Sequence, residues 1–356
     1  MPNKPIICFH VGYIPDLNNT GVSDFYGSEE TILQISKLIS HKYDLFIFGE
    51  SQREVYVNDI QYYHSSQYYQ FQKENEIDTI ILFRYIYPIF DFELKAKRII
   101  LWITDTTPLP FYNSLEIQDR GYHVINNFQQ KIDYFITGCN WHKNYIKEVY
   151  NIDEEKIKII SPAINLEYYK DNIKRTKNRF IWTSHGYRGF HFIMEDFEII
   201  RSILPDAELF VFRDNKSFSD EMLQYMRTKP YIHYKGKISN KELIVEFQKS
   251  DYWYYPTDFE ETFCMSAAEA QMAGCVCITS DKAALSETVG NRGILIKEHV
   301  TNEEYKNIML FEIFKMSMNE DYKNSFREKG MMWAKDQRWE NRANDLLELL
   351  KNNCNE

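Results

Sequence analysis

The sequence predicts an α/β protein built from two doubly wound, Rossmann-like parallel-sheet domains. Three observations support this: apolar runs alternate with amphipathic segments, the alternation lapses near residue 165, and it then restarts. The length of 356 residues also suits two domains. We place the domains at 1–165 and 166–335, and we expect 336–356 to form a helix that packs back across the domain boundary. The lapse contains basic residues that we expect in a solvated linker: Lys174, Arg175, Lys177 and Arg179.

The first domain is predicted from its apolar runs, which are typical of strands buried in parallel sheets: 6–11, 43–48, 78–83, 98–103, 134–137 and 157–162. Ser28 is a good N-cap for the first helix, whose apolar face follows at helical spacing: Ile32, Ile35, Leu38 and Ile39. Asp105 comes directly after the fourth strand, at the edge where α/β folds bind ligands. An aspartate that caps a turn or helix fits the same position, so both interpretations stay open.

The second domain repeats the alternation, with strands predicted at 180–183, 207–212, 231–235, 251–255 and 275–279. Helices are predicted at 190–204, 240–249 and 263–273. Arg188 lies between two glycines of the loop after the first of these strands. A guanidinium can pair with phosphate oxygens in bidentate geometry, so Arg188 is a candidate anion ligand. An ordinary surface arginine is the alternative.

Two carboxylates separated by seven residues, Glu261 and Glu269, follow the aromatic strand 251–255. Glu261 is expected on the loop at the carboxyl end of that strand. Glu269 is expected inside the next helix, which should end at Gly274. Such loops bind ligands in α/β folds, and a helix start offers N–H groups and a positive dipole end. This stretch therefore predicts a site for an anion such as phosphate.

Composition narrows the class of protein. A formal net charge of −10 disfavours nonspecific nucleic-acid binding, which depends on a basic surface. Because no long apolar run or signal peptide occurs, we expect a soluble, cytoplasmic protein without a transmembrane segment. Most of the six cysteines lie in predicted strands or helices, where we expect buried thiols, and Cys275 and Cys277 have no partners at zinc spacing. We therefore expect no metal site and no cofactor.

The stretch from Pro256 to Gly274 resembles the Glu-x7-Glu signature of glycosyltransferase family 4. These are retaining enzymes with nucleotide-sugar donors and the GT-B fold, in which two Rossmann-like domains face each other across a cleft. The segments 284–289 and 293–296 are similar to the family sequence that usually follows. Gly27-Ser28-Glu29 resembles the glycine loop of the first domain, and Tyr187–Phe190 resembles a variant with Arg-Gly for Lys-Gly.

The resemblance implies a metal-independent transferase of the hexosyltransferase type, which moves a sugar from a UDP- or GDP-sugar to a glycan, lipid or protein-linked acceptor. Peripheral contact with a membrane is compatible with it. Glu261 would bind the sugar hydroxyls, Glu269 the ribose, and Arg188 the departing diphosphate. We assign catalytic roles to these two residues, Glu261 and Arg188, and to Asp105. The remaining implied donor-binding residues are Gly27, His185, Gly189, Gly236, Lys237, Ile238, Thr262, Phe263, Cys264 and Met265.

One departure leaves alternatives open. Thr104-Asp105 stand where many relatives carry a histidine, and His10 and His185 are the nearest histidines by position. A GT-B epimerase or phosphorylase, or a degenerate nucleotide-sugar-binding subunit, would fit the same pattern. A metal-dependent GT-A transferase is disfavoured, since its Asp-x-Asp motif is matched only loosely. Because Glu261 is expected on a loop, we expect its replacement by alanine to lower turnover far more than stability.

Overall fold

The computed structural model describes residues 4–11, 27–49, 55–57, 60–86, 88–91, 93–109 and 123–351. The chain divides into two compact units. The first is Met1–Ala163 together with Trp339–Glu356, and the second is Ile164–Arg338. Each unit is built on one largely parallel sheet with helices between its strands, so the predicted pair of parallel-sheet α/β domains is confirmed.

The described part of the first unit contains an eight-stranded sheet of order β3-β4-β2-β1-β5-β6-β7-β8. All neighbours pair in parallel except β3, which runs antiparallel to β4. Most of its strands are apolar and buried on both faces, as parallel strands between helices must be. The strands are β1 Ile6–Val11, β2 Asp44–Gly49, β3 Val55–Val57, β4 Ile60–His64, β5 Thr79–Phe83, β6 Arg98–Trp102, β7 Tyr134–Thr137 and β8 Ile157–Ile159.

The helices of the first unit are α1 Ser28–Ile39, α2 Tyr68–Glu74, α3 Pro88–Asp91, α4 at 123–128, α5 Asn140–Tyr150 and α13 Trp339–Lys351. The last of these, α13, packs on α1. Its apolar face is buried, and Arg98 Nη1 donates to the carbonyl of Leu350 at 3.0 Å. The final helix therefore completes the first unit, although the whole second unit precedes it in the chain. Gly27, with φ 62°, is the N-cap of α1, and Ser28 is its first helical residue.

The second unit has a six-stranded, fully parallel sheet of order β11-β10-β9-β12-β13-β14. Its core is unusually aromatic, and Trp182, Trp253 and Tyr254 are among its fully buried side chains. The strands are β9 Arg179–Trp182, β10 Glu208–Val211, β11 Ile232–Tyr234, β12 Tyr252–Tyr255, β13 Val276–Ser280 and β14 Ile294–Ile296.

Seven helices accompany this sheet: α6 Phe190–Ile203, α7 Asp220–Thr228, α8 Asn240–Lys249, α9 Met265–Met272, α10 Leu285–Thr288, α11 Glu303–Met318 and α12 Glu320–Ala334. Helix α9 ends as predicted, because Gly274 adopts φ 76° and the N–H of Cys275 donates to Ala270 O at 2.9 Å. Within the described residues, no helix is both long and apolar enough to span a membrane.

The basic residues near 175 are only partly solvated: Lys174 and Lys177 are exposed as expected, but the expectation was wrong for the two arginines. Arg179 belongs to β9, is only 6% exposed and pairs with Glu246. Arg175 is partly buried and donates to the backbone carbonyls of Ser250 and Ala273. Both arginines therefore tie the start of the second unit to its own sheet and helices.

Candidate functional site

The strand order of the second sheet fixes where a ligand site is expected. The chain builds outward from β9 through β10 to β11, and then returns to the other side of β9 with β12. In doubly wound sheets ligands bind beyond the carboxyl ends of the strands at such a switch point. The loops that follow β9 and β12 meet there, and they contain Arg188, Gly189 and Glu261.

Gly189 brings these two loops into direct contact. Its φ is 124°, and a Cβ at this position would lie 2.0 Å from the carbonyl oxygen of Pro256. No side chain fits at that distance, and the backbone conformation is one that other residues rarely adopt. Gly189 was predicted as a donor-binding residue, and the structure gives it the additional role of closing the loop after β9 onto the loop after β12.

Glu261 lies where the loop after β9 contacts the loop after β12, and its carboxylate binds Arg188 of the first loop and Tyr255 at the end of β12. One of its oxygens, Oε1, accepts from Arg188 Nη1 at 3.0 Å and from the Tyr255 hydroxyl at 2.6 Å. The other, Oε2, has no hydrogen-bond partner among the described residues. Glu261 lies on a loop, as predicted, but it is only 7% exposed. This burial argues against the expectation that Glu261→Ala would spare stability, because the truncation would leave buried partners unsatisfied.

Arg188 contacts both the carboxylate and an aromatic ring. Its guanidinium carbon lies 4.1 Å from the centre of the Phe259 ring, within the range of a cation–π contact. Burial acts to lower the pKa of Arg188, but the Glu261 carboxylate together with Tyr255 and Tyr187 raises that pKa above the ordinary value. Burial and the same carboxylate raise the pKa of Tyr255. Arg188 is therefore cationic and Tyr255 a neutral donor.

The start of α9 supplies backbone N–H groups beside this cluster. Helix α9 begins at Met265, two residues later than predicted, with Cys264 as N-cap in the left-handed conformation (φ 71°, ψ 78°). That conformation is rare for a residue with a side chain, and it persists at ligand sites where the surroundings enforce it. Here the Thr288 hydroxyl donates to Phe263 O, and Ala267 N donates to Cys264 O.

The N–H groups of Cys264, Met265 and Ser266 form the first turn of α9 and have no acceptor within the helix. Together with the positive end of the helix dipole they form the kind of site that binds phosphate. Glu269 is partly buried and lies four residues after Met265, about 6 Å further along the helix axis. Its backbone carbonyl accepts from the Tyr169 hydroxyl at 3.2 Å.

His185 forms a contact that the sequence did not reveal. Arg213 Nη2 lies 2.7 Å from His185 Nε2, and the ring of Tyr187 stacks on the imidazole with centroids 5.4 Å apart. Burial lowers the pKa of His185 to about 4, and the charges of Arg213 and Arg188 contribute to the shift. Arg213 follows β10, so neighbouring strands bring the two residues together.

The remaining predicted donor residues of this unit occupy the same sheet edge. Thr262 precedes the start of α9, between Glu261 and Phe263. Gly236, with φ 73°, begins the loop Gly236–Ile238 after β11, and a Cβ there would meet no atom within 4 Å. The Tyr234 hydroxyl at the end of β11 donates to Arg213 O at 3.1 Å. The loop with Lys237 and Ile238 therefore lies beyond β10 and Arg213, two strands from β9.

In the first unit, Asp105 lies at the carboxyl edge of the sheet with two other charged residues. Arg84 Nε donates to Asp105 Oδ2 at 2.8 Å, and Arg84 Nη1 lies 3.9 Å from Glu29 Oε1. Glu29 is in the first turn of α1, next to the predicted Gly27. Arg84 follows β5 with φ 73° and, like Cys264, has a positive φ that is uncommon for a residue with a side chain. Sequence reasoning missed Arg84 because no local pattern distinguishes it from a surface arginine.

A histidine does lie beside Asp105, but it is His142 of α5 and not a residue that directly follows β6. His142 Nδ1 accepts from Gly138 N at 3.1 Å, so the proton is on Nε2, which lies 2.9 Å from Asp105 O and donates to it. The ring is fully buried, and burial lowers the pKa of His142 to about 4. With both nitrogens engaged, His142 braces the Asp105 backbone. His10 is also buried, against Phe48 and Tyr68, and burial lowers its pKa to about 3.

The described residues contain no group of three or more His, Cys, Asp or Glu side chains arranged to hold a metal ion. Cys8, Cys139, Cys264, Cys275 and Cys277 are buried free thiols, as predicted.

Among curated protein sequences, none matches this chain.

Solved structures similar to this chain include three of nearly equal length. A glycosyltransferase from Rickettsia africae ESF-5 has 15% identity and a TM-score of 0.75, with 98% of each chain covered. Sucrose-phosphate synthase from Thermosynechococcus elongatus has 12% identity and a TM-score of 0.73, with 97% of this chain and 98% of that chain covered. HepE from Anabaena, in complex with UDP-glucose, has 13% identity and a TM-score of 0.71, with 97% and 98% covered.

At these identities the similarity to solved structures establishes a common fold. The sequence comparison is more specific for the second unit, where residues 178–310 match the family described as Glycosyl transferases group 1. This segment includes the loops of Arg188 and Glu261 and all of α9. Residues 178–310 thus carry the pattern of a group 1 glycosyltransferase domain, and the chain as a whole has the fold of GT-B glycosyltransferases.

Proposed function

We propose that this protein is a retaining glycosyltransferase that transfers a sugar from a nucleotide-diphosphate sugar without a metal ion. The observation that carries the proposal is the contact of Arg188 with Glu261 at the switch point, beside the start of α9. The match of residues 178–310 to group 1 glycosyltransferases supports it, as does the UDP-glucose bound to the similar HepE structure. Membership of glycosyltransferase family 4 stays a prediction.

The proposed donor roles follow from the chemistry of the leaving group. A nucleoside diphosphate gains negative charge as the glycosidic bond breaks, and fixed N–H dipoles and a cation stabilise that charge. The N–H groups of Cys264 and Met265, with Arg188, would supply both. Glu261 Oε2 would accept from a sugar hydroxyl, and Glu269 would accept from the ribose hydroxyls, since carboxylates are acceptors only.

Retention of configuration needs an acceptor that attacks from the face the diphosphate leaves. We assign no protein nucleophile, and the departing phosphate oxygen would take the acceptor's proton. Glu261 is held by Arg188 and Tyr255, an arrangement that suits a sugar-binding carboxylate better than a nucleophile. We therefore assign Glu261 a role in orienting the sugar.

We place the acceptor with the first unit, where Asp105, Arg84 and Glu29 combine hydrogen-bond donors and acceptors. Such mixed groups suit a polyhydroxyl acceptor, because a carboxylate accepts from hydroxyl groups and a guanidinium donates to their oxygens. Asp105→Asn should raise the KM for the acceptor and leave the KM for the donor unchanged. Equal effects on both would contradict this assignment.

A thermal-shift screen against UDP-, GDP- and ADP-sugars tests the proposal directly. A ligand at a hundred times its Kd adds about 2.7 kcal/mol of stability, which a melting curve resolves easily. The donor found is then used in transfer and hydrolysis assays with and without EDTA. Transfer that persists in EDTA, with retained anomeric configuration, is the expected result. Donor hydrolysis without transfer to any acceptor would instead favour a nucleotide-sugar-binding subunit.

A further inference from the structure

The contact between Arg213 and His185 fixes the position of a proton. An arginine side chain stays protonated in proteins and has no acceptor atom, so Arg213 Nη2 must be the donor at 2.7 Å. His185 Nε2 must then accept, and it carries no hydrogen. A neutral imidazole with an unprotonated Nε2 has its proton on Nδ1. His185 Nδ1 has no hydrogen-bond partner among the described residues, so its N–H is open to a ligand.

Both sides of this contact are held by their backbones. The N–H of Phe212 extends the β10–β9 ladder by donating to Trp182 O at 2.9 Å, and the Tyr234 hydroxyl holds Arg213 O. On the other side, His185 O accepts from Arg188 N at 3.0 Å. The guanidinium and the imidazole are therefore preorganised before any ligand binds, which reduces the entropy lost on binding.

We infer that Arg213 is a positioning residue, which holds His185 as a neutral ring with its proton on Nδ1 so that His185 donates a hydrogen bond to the diphosphate of the donor. The inference rests on the proposed function for the identity of the ligand. His185 then acts only as a hydrogen-bond donor. It does not act as a general base, because its basic nitrogen, Nε2, already accepts from Arg213.

The charged groups around His185 support a neutral ring over a wide pH range. Burial lowers its pKa to about 4, and the cationic Arg213 and Arg188 act in the same direction. Asp214 opposes them by favouring the charged ring. The ring of Tyr187 stacks on the imidazole. Removal of the Arg213 charge should therefore move the pKa of His185 upward, towards the ordinary value near 6.5.

Nitrogen NMR of histidine-labelled protein tests the tautomer without reference to activity. Protonated and unprotonated ring nitrogens resonate far apart, and the His185 signals are identified as those missing from His185→Asn. The wild type should show the proton on Nδ1 at pH 7. Arg213→Met should lose that preference and raise the pKa of His185 by at least one unit, and Arg213→Lys should restore both. A proton on Nε2 in the wild type, or an unchanged spectrum in Arg213→Met, would overturn the inference.

UDP binding by calorimetry tests the role. In His185→Asn the amide can place an N–H near the former Nδ1, whereas in His185→Gln it reaches towards Arg213 instead. We expect His185→Asn to bind UDP within threefold of the wild type, and His185→Gln and Arg213→Met to bind about tenfold more weakly, the loss of roughly one hydrogen bond to a charged group. Arg227→Met, at an exposed position on α7, is the control.

The possible failures are distinguishable. If the wild type binds no nucleotide diphosphate but the tautomer is as expected, the proposed function fails while the Arg213–His185 pairing stands. If the wild type binds UDP and both His185 variants bind equally well, the inferred role of His185 is wrong and the proposed function is untouched.

Discussion

Replacement of Glu261 separates its structural contribution from its proposed role in catalysis. Glu261→Ala removes the acceptor of two hydrogen bonds, whereas Glu261→Gln keeps the shape and one carbonyl oxygen but removes the charge. The partners affected are Tyr255, whose side chain is 1% exposed, and Arg188, whose side chain is 27% exposed. Glu261→Ala therefore removes both the hydrogen-bond acceptor and the charge, whereas Glu261→Gln removes only the charge.

The expected magnitudes follow from these contacts. A buried hydroxyl left without a partner costs about 1–3 kcal/mol, and this applies to Tyr255 in Glu261→Ala. Arg188 loses a charged hydrogen bond worth about 1.5–3 kcal/mol, part of which water restores because the guanidinium is partly exposed. We expect Glu261→Ala to lower the free energy of unfolding by about 3–5 kcal/mol, and Glu261→Gln by about 1 kcal/mol, since both hydrogen bonds can still form.

Urea unfolding followed by tryptophan fluorescence measures these values, and UDP-sugar turnover is measured on the same preparations. The neighbouring Glu260 is the matched control, because its side chain is 40% exposed and its pair with Lys282 is a surface contact. Glu260→Gln should change stability by less than about 1 kcal/mol. If the free energy of unfolding of Glu261→Ala lies within 1 kcal/mol of the wild-type value, the hydrogen bonds of Glu261 with Arg188 and Tyr255 do not stabilise the fold. If Glu261→Gln turns over normally, the carboxylate is not part of the chemistry.

Three further predictions concern stability. Gly189→Ala should destabilise the second unit by more than about 3 kcal/mol and abolish UDP binding. A strained φ alone costs about 1–3 kcal/mol, and the added Cβ would overlap Pro256. Normal UDP binding by calorimetry would contradict this prediction. Asp251→Asn should lower the free energy of unfolding in urea by about 3–5 kcal/mol, because Asp251 is a buried counter-ion of Lys323. A decrease below 1 kcal/mol would refute this pairing. His142 has a folded pKa of about 4 and an ordinary unfolded pKa near 6.5, so the unfolded state binds its proton first as pH falls. This one group should remove up to about 3 kcal/mol between pH 6.5 and 4, and His142→Gln should unfold with a smaller dependence on pH in that interval.

Local signals in the sequence were sufficient for most of the fold. The aromatic run before Pro256 is buried as β12, and its composition alone marked it as a strand. Gly274 ended α9 because its φ is positive, and glycine is the usual residue at that position. Glu261 and Arg188 were predicted at strand ends, and parallel pairing places those ends at one sheet edge.

The contacts that the sequence did not reveal join residues far apart in the chain. Lys323 and Asp251 are 72 positions apart, and Arg175 reaches Ala273 across 98 positions. A basic cluster in a polar stretch has the composition of a solvated linker, and only the fold shows that Arg175 caps carbonyls of the second unit. The same holds for Arg213, which is ordinary in sequence and gains its role only because β10 lies beside β9.

The formal net charge of the chain is −10, whereas the candidate donor site contains two arginines held in fixed positions at one sheet edge. Arg188 and Arg213 follow neighbouring strands, and the start of α9 adds the positive end of a helix dipole. Each arginine is oriented by an acceptor within the protein, Glu261 for one and the neutral His185 for the other. The contact with His185 is to a neutral acceptor, so this contact does not neutralise the positive charge of Arg213 as an ion pair would. Fixed cations of this kind attract a diphosphate locally, although the chain as a whole is acidic.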